Sequence, residues 1–590
     1  VFERCARHIL PNGKKGVEEC GLNPVSVRLW RGMWPCPRTQ RPSPLPVPVA
    51  RARCAASGNQ GEAPGPALSA DPGPFTASRK TVTTPFESLD LRRCPWAAAQ
   101  QQHVSTRVDT GAAPCPGHAS TACTSRHGKE PPGTLHSPAT LAADALRRWQ
   151  GRQWTVYRGQ AYDLAPWFGR HPGGGWLARL AVHRDCTALL ESNHVRVDRA
   201  AAALESLPRL PDFPAWAVPV TPRPLDSPFL SAVRARVRRE VLQPLGAEAA
   251  GGGPGPGRSL FLPGAEESLV AAGAALLAAA GAYAWHCRAC SLASGCLLGM
   301  AGAWVGTAVQ HGGNHGSMSR RPGINLAAGA AADLIGGASV AWRYHHQVSH
   351  HVHCNDAELD EDVVSAYPLL RFDARLPRRW FHAYQHIYMW GVFALLQLAF
   401  QTGDVATLLA RRMPGRPLAG AAAWELAGAW AGKALYWALL LAIPARLQGW
   451  GAAAAGAAAC MAVQGLTLAV LLGVSHNVAA TKRDSTQGAG AGEDASDWGL
   501  RQLATSADWG GRRACLLTGG LNLQVAHHLF PTLPSALYPA ITAIVREEAA
   551  ARGLPYVHWT SLPAIMAHLV AFMREVGVAE QTPAPKRAPA

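Results

Sequence analysis

The residues most able to do chemistry in this chain are histidines that recur at short, regular spacing. Between Trp304 and Asn355 the chain reads WVGTAVQHGGNHGSMS, then a small-residue spacer, then WRYHHQVSHHVHCN. His311 and His315 stand four residues apart, and His346, His350 and His351 repeat that step. Four residues along a helix return to nearly the same face, so each set can aim at one point. Further on, QVAHH adds His527 and His528. Imidazole is a good ligand for iron, copper, nickel and zinc. A lone histidine beside an apolar helix is ordinarily a core or surface residue. Seven in three tight clusters, separated by hydrophobic spans, point to one metal centre at a membrane surface, because polar groups beside a bilayer are costly and usually functional.

A second constellation lies earlier, over 146–207. Polar and aromatic residues alternate around Trp154 and Tyr157, as in a short strand, and Gly159 with Gln160 marks a turn. HPGG then breaks the chain and leaves His171 in a loop, with His194 following 23 residues later after a helical stretch. Two neutral imidazoles can hold one haem iron from both faces. Such a haem has no position left for oxygen, so it carries electrons.

The elements that must position these groups are mostly apolar helices. The chain has 590 residues and a formal net charge of +17, a balance that suits nucleic acid or an anionic membrane surface. The hydrophobic spans favour the membrane, and no nucleic-acid motif stands behind the charge. A bilayer crossing needs about twenty apolar residues. Ser268–Trp285 and Ala289–Gln310 form one expected hairpin, and Tyr384–Gln401, Ala427–Pro444 and Gly451–Val474 are three more candidates. All three clusters must reach the same metal, so an even number of crossings separates the second from the third. The loop holding Arg411, Arg412 and Arg416 and the box-bearing loop, with Arg320, Arg321, Arg343, Arg378 and Arg379, are both expected on the cytosolic side. Tyr384–Gln401 is then interfacial or re-entrant, which leaves four crossings and puts both termini, the haem domain and the metal site in the cytosol.

The remaining stretches carry less. The chain begins with Val1, as a fragment or a translated gene model would, and 1–140 is a Pro-, Arg- and Ser-rich extension expected to be disordered. The 208–264 stretch reads as a proline-rich linker and then SPFLSAVRARVRREVLQPL, an amphipathic helix for a membrane surface or for solvent. A helical membrane domain over 265–555 is followed by a tail, 556–590. Half of the 14 cysteines precede position 124, and the CxxC pair Cys287 and Cys290 has no second pair near it, so neither a disulfide scaffold nor structural zinc is expected. The acidic run from Glu358 to Asp362 reads as a solvated loop.

HGGNH, HQVSHH and QVAHH resemble the histidine boxes of membrane fatty-acyl desaturases. Gln524, where most of that family has histidine, and the surrounding GGLNLQVAHHLFPTLP resemble the front-end subfamily. WTVYRGQAYDL, HPGG and LLESNH resemble cytochrome b5, which front-end desaturases carry fused. The HxxxHH second box, with QHGGNHG before it and HHVHCND after it, is similar to algal-type delta-4 and delta-5 enzymes. The likeness runs from about Trp149 to Arg552 and includes DWGLRQLATSADWG. Two departures are Gly175, where an acidic residue commonly follows HPGG, and Ala526, where the family often has an acidic residue before the last histidine pair.

The resemblance implies an α+β cytochrome b5-like haem domain followed by an all-α integral membrane desaturase domain of about four transmembrane helices. It implies haem b on His171 and His194, and a non-haem di-iron centre on His311, His315, His346, His350, His351, His527 and His528. His476, at the end of the last span, is an expected further ligand. Gln524 is expected to ligate through its carbonyl or to hold a water beside the metal. It further implies O2 as oxidant, electrons from NADH through a separate cytochrome b5 reductase, and a fatty acyl lipid or acyl-CoA substrate. The product would carry a new cis double bond on the carboxyl side of an existing one, with delta-5 or delta-4 favoured. The endoplasmic reticulum is the expected membrane, with a plastid membrane open. A sphingolipid long-chain-base desaturase shares the haem fusion and the glutamine box. A non-catalytic, membrane-anchored electron carrier would leave the three clusters unexplained.

Overall fold

The computed structural model describes residues 138–219, 227–246, 260–413, 416–482 and 497–582. Apart from its last three positions, the expected 1–140 extension lies outside the described residues, as do most of GAEAAGGGPGPGRS and the centre of LLARRMPGRP.

β1 (Trp154–Tyr157) and β2 (Gln160–Asp163) pair antiparallel, with Tyr157 opposite Gln160. Arg158 and Gly159 between them have φ of 48° and 78°, and a two-residue turn with both φ positive matches the twist of paired strands. Alternation then sorts the strand faces. Trp154 and Val156 pack with Leu210 and Phe213, while Tyr157 packs with Tyr162, Val182 and Leu204. α1 (Thr187–Asn193) ends immediately before His194.

α2 (Pro228–Arg236) is capped by Ser227, whose hydroxyl accepts from the Leu230 N–H at 2.9 Å. Neither of its expected settings applies. Its apolar face, Phe229, Leu230 and Val233, is fully buried in one core with Leu180 and Leu189 of the haem domain and with Trp498, Leu529 and Ile541. Its charged face is paired, Arg236 meeting Glu240, Glu547 and Glu548 at 2.9, 2.7 and 3.1 Å. The segment wedges the haem domain against the rest of the chain.

Among the described residues, four helices are long and apolar enough to cross a membrane: α3 (Glu266–Ala289), α4 (Leu292–His315), α9 (Ala423–Gln448) and α10 (Trp450–Gly473). Val270, Leu277, Met300 and Leu435 stay exposed on them, as lipid-facing residues would. Two further helix pairs are apolar but broken. α5 (Pro322–Leu334) and α6 (Ser339–His353) meet at 111°, and α7 (Trp380–Ala394) and α8 (Leu396–Ala410) meet at 64°. The second pair contains Tyr384–Gln401, the segment expected to be interfacial or re-entrant. The stretch around the second box is thus largely helical, as the four-residue histidine steps lead one to expect.

The sharp bend after α5 exposes backbone carbonyls that an apolar setting cannot solvate. Side chains from three helices satisfy them. Ile335 O accepts from the amides of Gln397 and Gln464 at 2.8 and 2.7 Å. Gly336 O accepts from Lys433 Nζ at 2.7 Å and from Gln401. Lys433 is in turn paired with Asp404 at 2.7 Å. This polar knot fixes the direction in which α6 carries the second box.

After α13 (Tyr538–Ala551), where a tail was expected beyond position 555, α14 (Leu562–Val578) forms instead. It starts on a Ser561 cap and buries Ile565, Leu569, Phe572 and Met573 against Met389, Phe393, Val470 and Val474. Its partners come from α7 and α10, far away in sequence.

Lys433→Met would remove a donor from Gly336 O and strand the Asp404 carboxylate, a loss on the order of 3–5 kcal/mol. Thermal unfolding in detergent should show a clearly lowered midpoint for this variant. Lys433→Met with Asp404→Leu should recover much of it, and an unchanged single variant would refute the role given to the knot.

Candidate metal and haem centres

The first box closes α4. A π-helical turn at Gly306–Gln310 precedes it, and Gly316, at φ 72°, ends the helix just after His315. Gly313 is required by close approach: a Cβ there would stand 2.3 Å from Gly329 N. Asn314 ties this box to the second. Its amide donates to Gln310 and to Gly329 O, its side-chain oxygen accepts from Arg343, and its carbonyl accepts from Gln347.

The second box is wound as a π-helix over Tyr344–His350. That winding matters. On an α-helix positions i, i+4 and i+5 fan widely, whereas the wider turn with i→i+5 bonding brings both later positions back toward the first. His346, His350 and His351 all turn inward as a result. The third box forms a short helix, α12 in chain order after α11 (Trp498–Thr505), over Gln524–Leu529. The Asp508 carboxylate caps it, accepting from Val525 N at 2.9 Å; burial pushes that carboxyl up to about 6.

The three boxes converge. His311, His315, His346 and His527 place one ring nitrogen each within 4.8 Å of the others, and His350, His476 and His528 do the same together with Cys354. His351 stands between the groups, stacked on His528 at 4.4 Å. Its Nε2 lies 3.1 Å from His346 Nε2 and 3.0 Å from His527 Nε2. All eight imidazoles are buried. Burial, reinforced by neighbouring histidines, holds His527 and His528 well below the usual imidazole range and His476 down to about 3.

Partners on the far ring nitrogens set the tautomers. His528 Nδ1–H donates to Gln502 at 2.7 Å, His476 Nδ1–H to Thr505 O at 3.0 Å, and His350 Nδ1–H to Asp360 at 3.1 Å. Each of these rings therefore turns an Nε2 lone pair toward the cluster. His311 Nε2, both nitrogens of His315 and Gln524 Oε1 are buried without a hydrogen-bond partner. Neutral imidazoles with converging, unpaired lone pairs are a donor set that suits divalent transition metals, and two groups with His351 between them suit two ions. Gln524 reaches His476 and His528 at 2.9 and 3.3 Å, and its amide oxygen and nitrogen are interchangeable by a flip. His345 faces away, toward Glu361 and Asp362. A narrow cleft lined by Thr307, Ala308, Met318 and Tyr538 reaches His311.

Sequence reasoning missed three of these groups. The acidic run is not a solvated loop, since Asp360 and Glu361 are buried. Asp360 also accepts from Asn355 N at 2.8 Å. Cys354 lies 3.4 Å from His476 Nδ1, a position that HHVHCN beside the second box could have suggested. Gln502 lies in DWGLRQLATSADWG, a stretch that shared the family likeness without marking a role at the metal.

In the haem domain, His171 and His194 face each other with ring centroids 6.2 Å apart. Metal–imidazole bonds are about 2 Å, so this spacing seats one metal ion between the two rings. Each Nδ1–H is held by a backbone carbonyl, Gly174 O at 3.0 Å and Leu190 O at 2.7 Å, which leaves Nε2 as the ligand atom on both rings. Burial, with the neighbouring His194, holds His171 at about 4, and burial lowers His194 as well.

Comparison with known proteins agrees with both centres. Residues 288–579 match the model for "Fatty acid desaturase", and residues 141–211 match "Cytochrome b5-like Heme/Steroid binding domain". The chain is 49% identical over 429 residues to the acyl-lipid (7-3)-desaturase, chloroplastic, of Chlamydomonas reinhardtii, covering 72% of this chain and 81% of the relative. It is 30% identical over 453 residues to the acyl-lipid (8-3)-desaturase of Physcomitrium patens, covering 72% and 88%. It is 26% identical over 428 residues to the delta(5) fatty acid desaturase A of Dictyostelium discoideum, covering 70% and 89%. The chain belongs to the fatty acid desaturase family, as an oxygen-dependent front-end member with a cytochrome b5-like domain fused ahead of its membrane domain.

Proposed function

We propose that this desaturase acts on acyl lipids, inserting a cis double bond between the carboxyl end and an existing double bond of a polyunsaturated chain, with delta-5 or delta-4 selectivity. The observation that carries this reading is the convergence of eight buried imidazoles, seven in two groups with His351 between them, within one chain that also holds a facing histidine pair. The relatives named as acyl-lipid desaturases support the substrate class, and the one named delta(5) is in line with one of the two selectivities. The one described as chloroplastic weighs toward a plastid membrane over the endoplasmic reticulum.

On this reading His311, His315, His346 and His527 hold one iron, His350, His476 and His528 hold the other, and His351 serves between them. Reduced non-haem iron supplies the oxygen activation that takes hydrogen from an unactivated methylene, which no side chain does by acid–base chemistry. Asp360, Gln502 and Thr505 O keep the ligand rings in one tautomer and one orientation. Gln524 either ligates through its carbonyl or holds a water in place. Haem b on His171 and His194 supplies one-electron transfer, with NADH and a separate cytochrome b5 reductase as the source. The cleft at Thr307, Ala308, Met318 and Tyr538 opens beside His311 and marks the side from which the acyl chain would approach.

Fatty-acid analysis of yeast expressing the chain and fed long-chain polyunsaturates tests the activity. A new double bond on the carboxyl side of the existing ones is expected, and its position fixes the selectivity. Unchanged fatty acids with altered sphingoid bases would overturn the proposal. Asp360→Ala should weaken retention of non-haem iron about 10–100-fold in chelator competition, while haem absorbance stays at the wild-type level. Equal iron retention would remove Asp360 from the supporting set.

A further inference from the structure

The haem domain is seated on the boxes themselves. On the His194 side, Asn193 O accepts from the Thr532 hydroxyl at 3.1 Å, four residues beyond His528. On the His171 side, Leu177 fills the gap between the two centres. A Cβ on Gly173 would lie 3.0 Å from His171 Cε1 and 3.2 Å from Leu177 Cδ1, and a Cβ on Gly316 would lie 3.2 Å from that same leucine carbon. Gly316 directly follows His315. Next to Leu177 in the chain stands Trp176, buried at 6% exposure. The Arg343 guanidinium carbon lies 5.0 Å from its ring centroid. Arg343 is itself 1% exposed, is ion-paired with Glu425 and donates to Asn314 at 3.1 Å. Asn314 is the residue before His315, and Arg343 sits three before His346. One cation–π contact therefore joins the haem loop to the residues that orient the first two boxes.

We propose that Trp176 is a positioning residue: its stack on Arg343 holds the haem domain docked, so that electrons pass within one chain from the haem to the metal cluster rather than by diffusional encounter. This rests on the haem and metal assignments given above. Each event oxidises one ferrous haem to ferric and reduces one ferric non-haem iron to ferrous. Two such electrons, drawn from NADH through the reductase, with two protons and the two hydrogens removed from the acyl chain, reduce one O2 to two waters. Trp176 exchanges neither electron nor proton with the substrate and sets only the distance and angle of the transfer.

The experiment uses full-length protein in lipid nanodiscs, with haem and non-haem iron quantified. The haem is reduced anaerobically by NADH and catalytic reductase, then mixed with oxygen and acyl lipid while its absorbance is followed. Trp176→Ala should keep the haem spectrum, the haem midpoint potential, the rate of reduction by the reductase and the iron content. Its haem reoxidation should slow clearly, by more than the roughly twofold allowed to Trp176→Phe. Trp176→Phe, which keeps a flat π face, should stay within about twofold of wild type. Excess soluble cytochrome b5 should restore desaturation to the alanine variant. Wild-type reoxidation in Trp176→Ala overturns the proposal, as does loss of haem or non-haem iron in that variant, or equal defects in the alanine and phenylalanine variants. Wild-type protein without non-haem iron would overturn the metal assignment instead, and the two failures are read from different signals.

Discussion

Eight imidazole rings turn nitrogen lone pairs toward one another in a space closed to water, and the rest of the molecule answers to that arrangement. Lone pairs at about 3 Å repel unless a proton or a metal stands between them. Burial disfavours the proton, so the cluster is poised for metal. Each inward lone pair also needs its ring held from behind. Asp360, Gln502 and the Thr505 carbonyl do this for three of the rings. The π winding of the second box has the same origin, since three inward histidines at i, i+4 and i+5 do not fit one side of a regular α-helix.

A second constraint follows from the membrane. The boxes sit at the ends of apolar helices, and the chain must turn sharply to bring the second box back. Backbone carbonyls at such a corner have no water to bond. Gln397, Gln401, Gln464 and Lys433 supply the donors from helices that are otherwise apolar. The same economy governs the haem domain, which shares one hydrophobic core with α2 and the C-terminal half. Electron donor and metal cluster are thus held by continuous packing, with Trp176 and Arg343 at the contact nearest the boxes.

Much of the site was legible because spacing carries it. Four-residue steps mark the box histidines, HPGG marks His171, and a histidine at the end of a span marks His476, which the structure sets against Gln524. The four long spans were legible from composition, with ends displaced by a few residues because alanine and glycine blur the hydropathy edge. What was hidden depends on partners distant in sequence. Asp360 looks like any acidic loop residue until His350 is beside it. The three glutamines barely lower the hydropathy of their helices and signal nothing until the bend after α5 is seen. α14 reads as a tail until α7 and α10 supply its other half. The amphipathic segment 228–242 misled for the same reason, since an apolar stripe faces a core as readily as a membrane.

The ratio of non-haem iron to haem in the purified full-length protein tests the central claim most directly. Haem is read from its reduced spectrum, and total iron by elemental analysis. Two non-haem irons per haem are expected if the two imidazole groups and the His171–His194 pair are all loaded. Haem alone, or one non-haem iron per haem in fully loaded, active protein, would contradict the reading of the cluster as a two-metal centre.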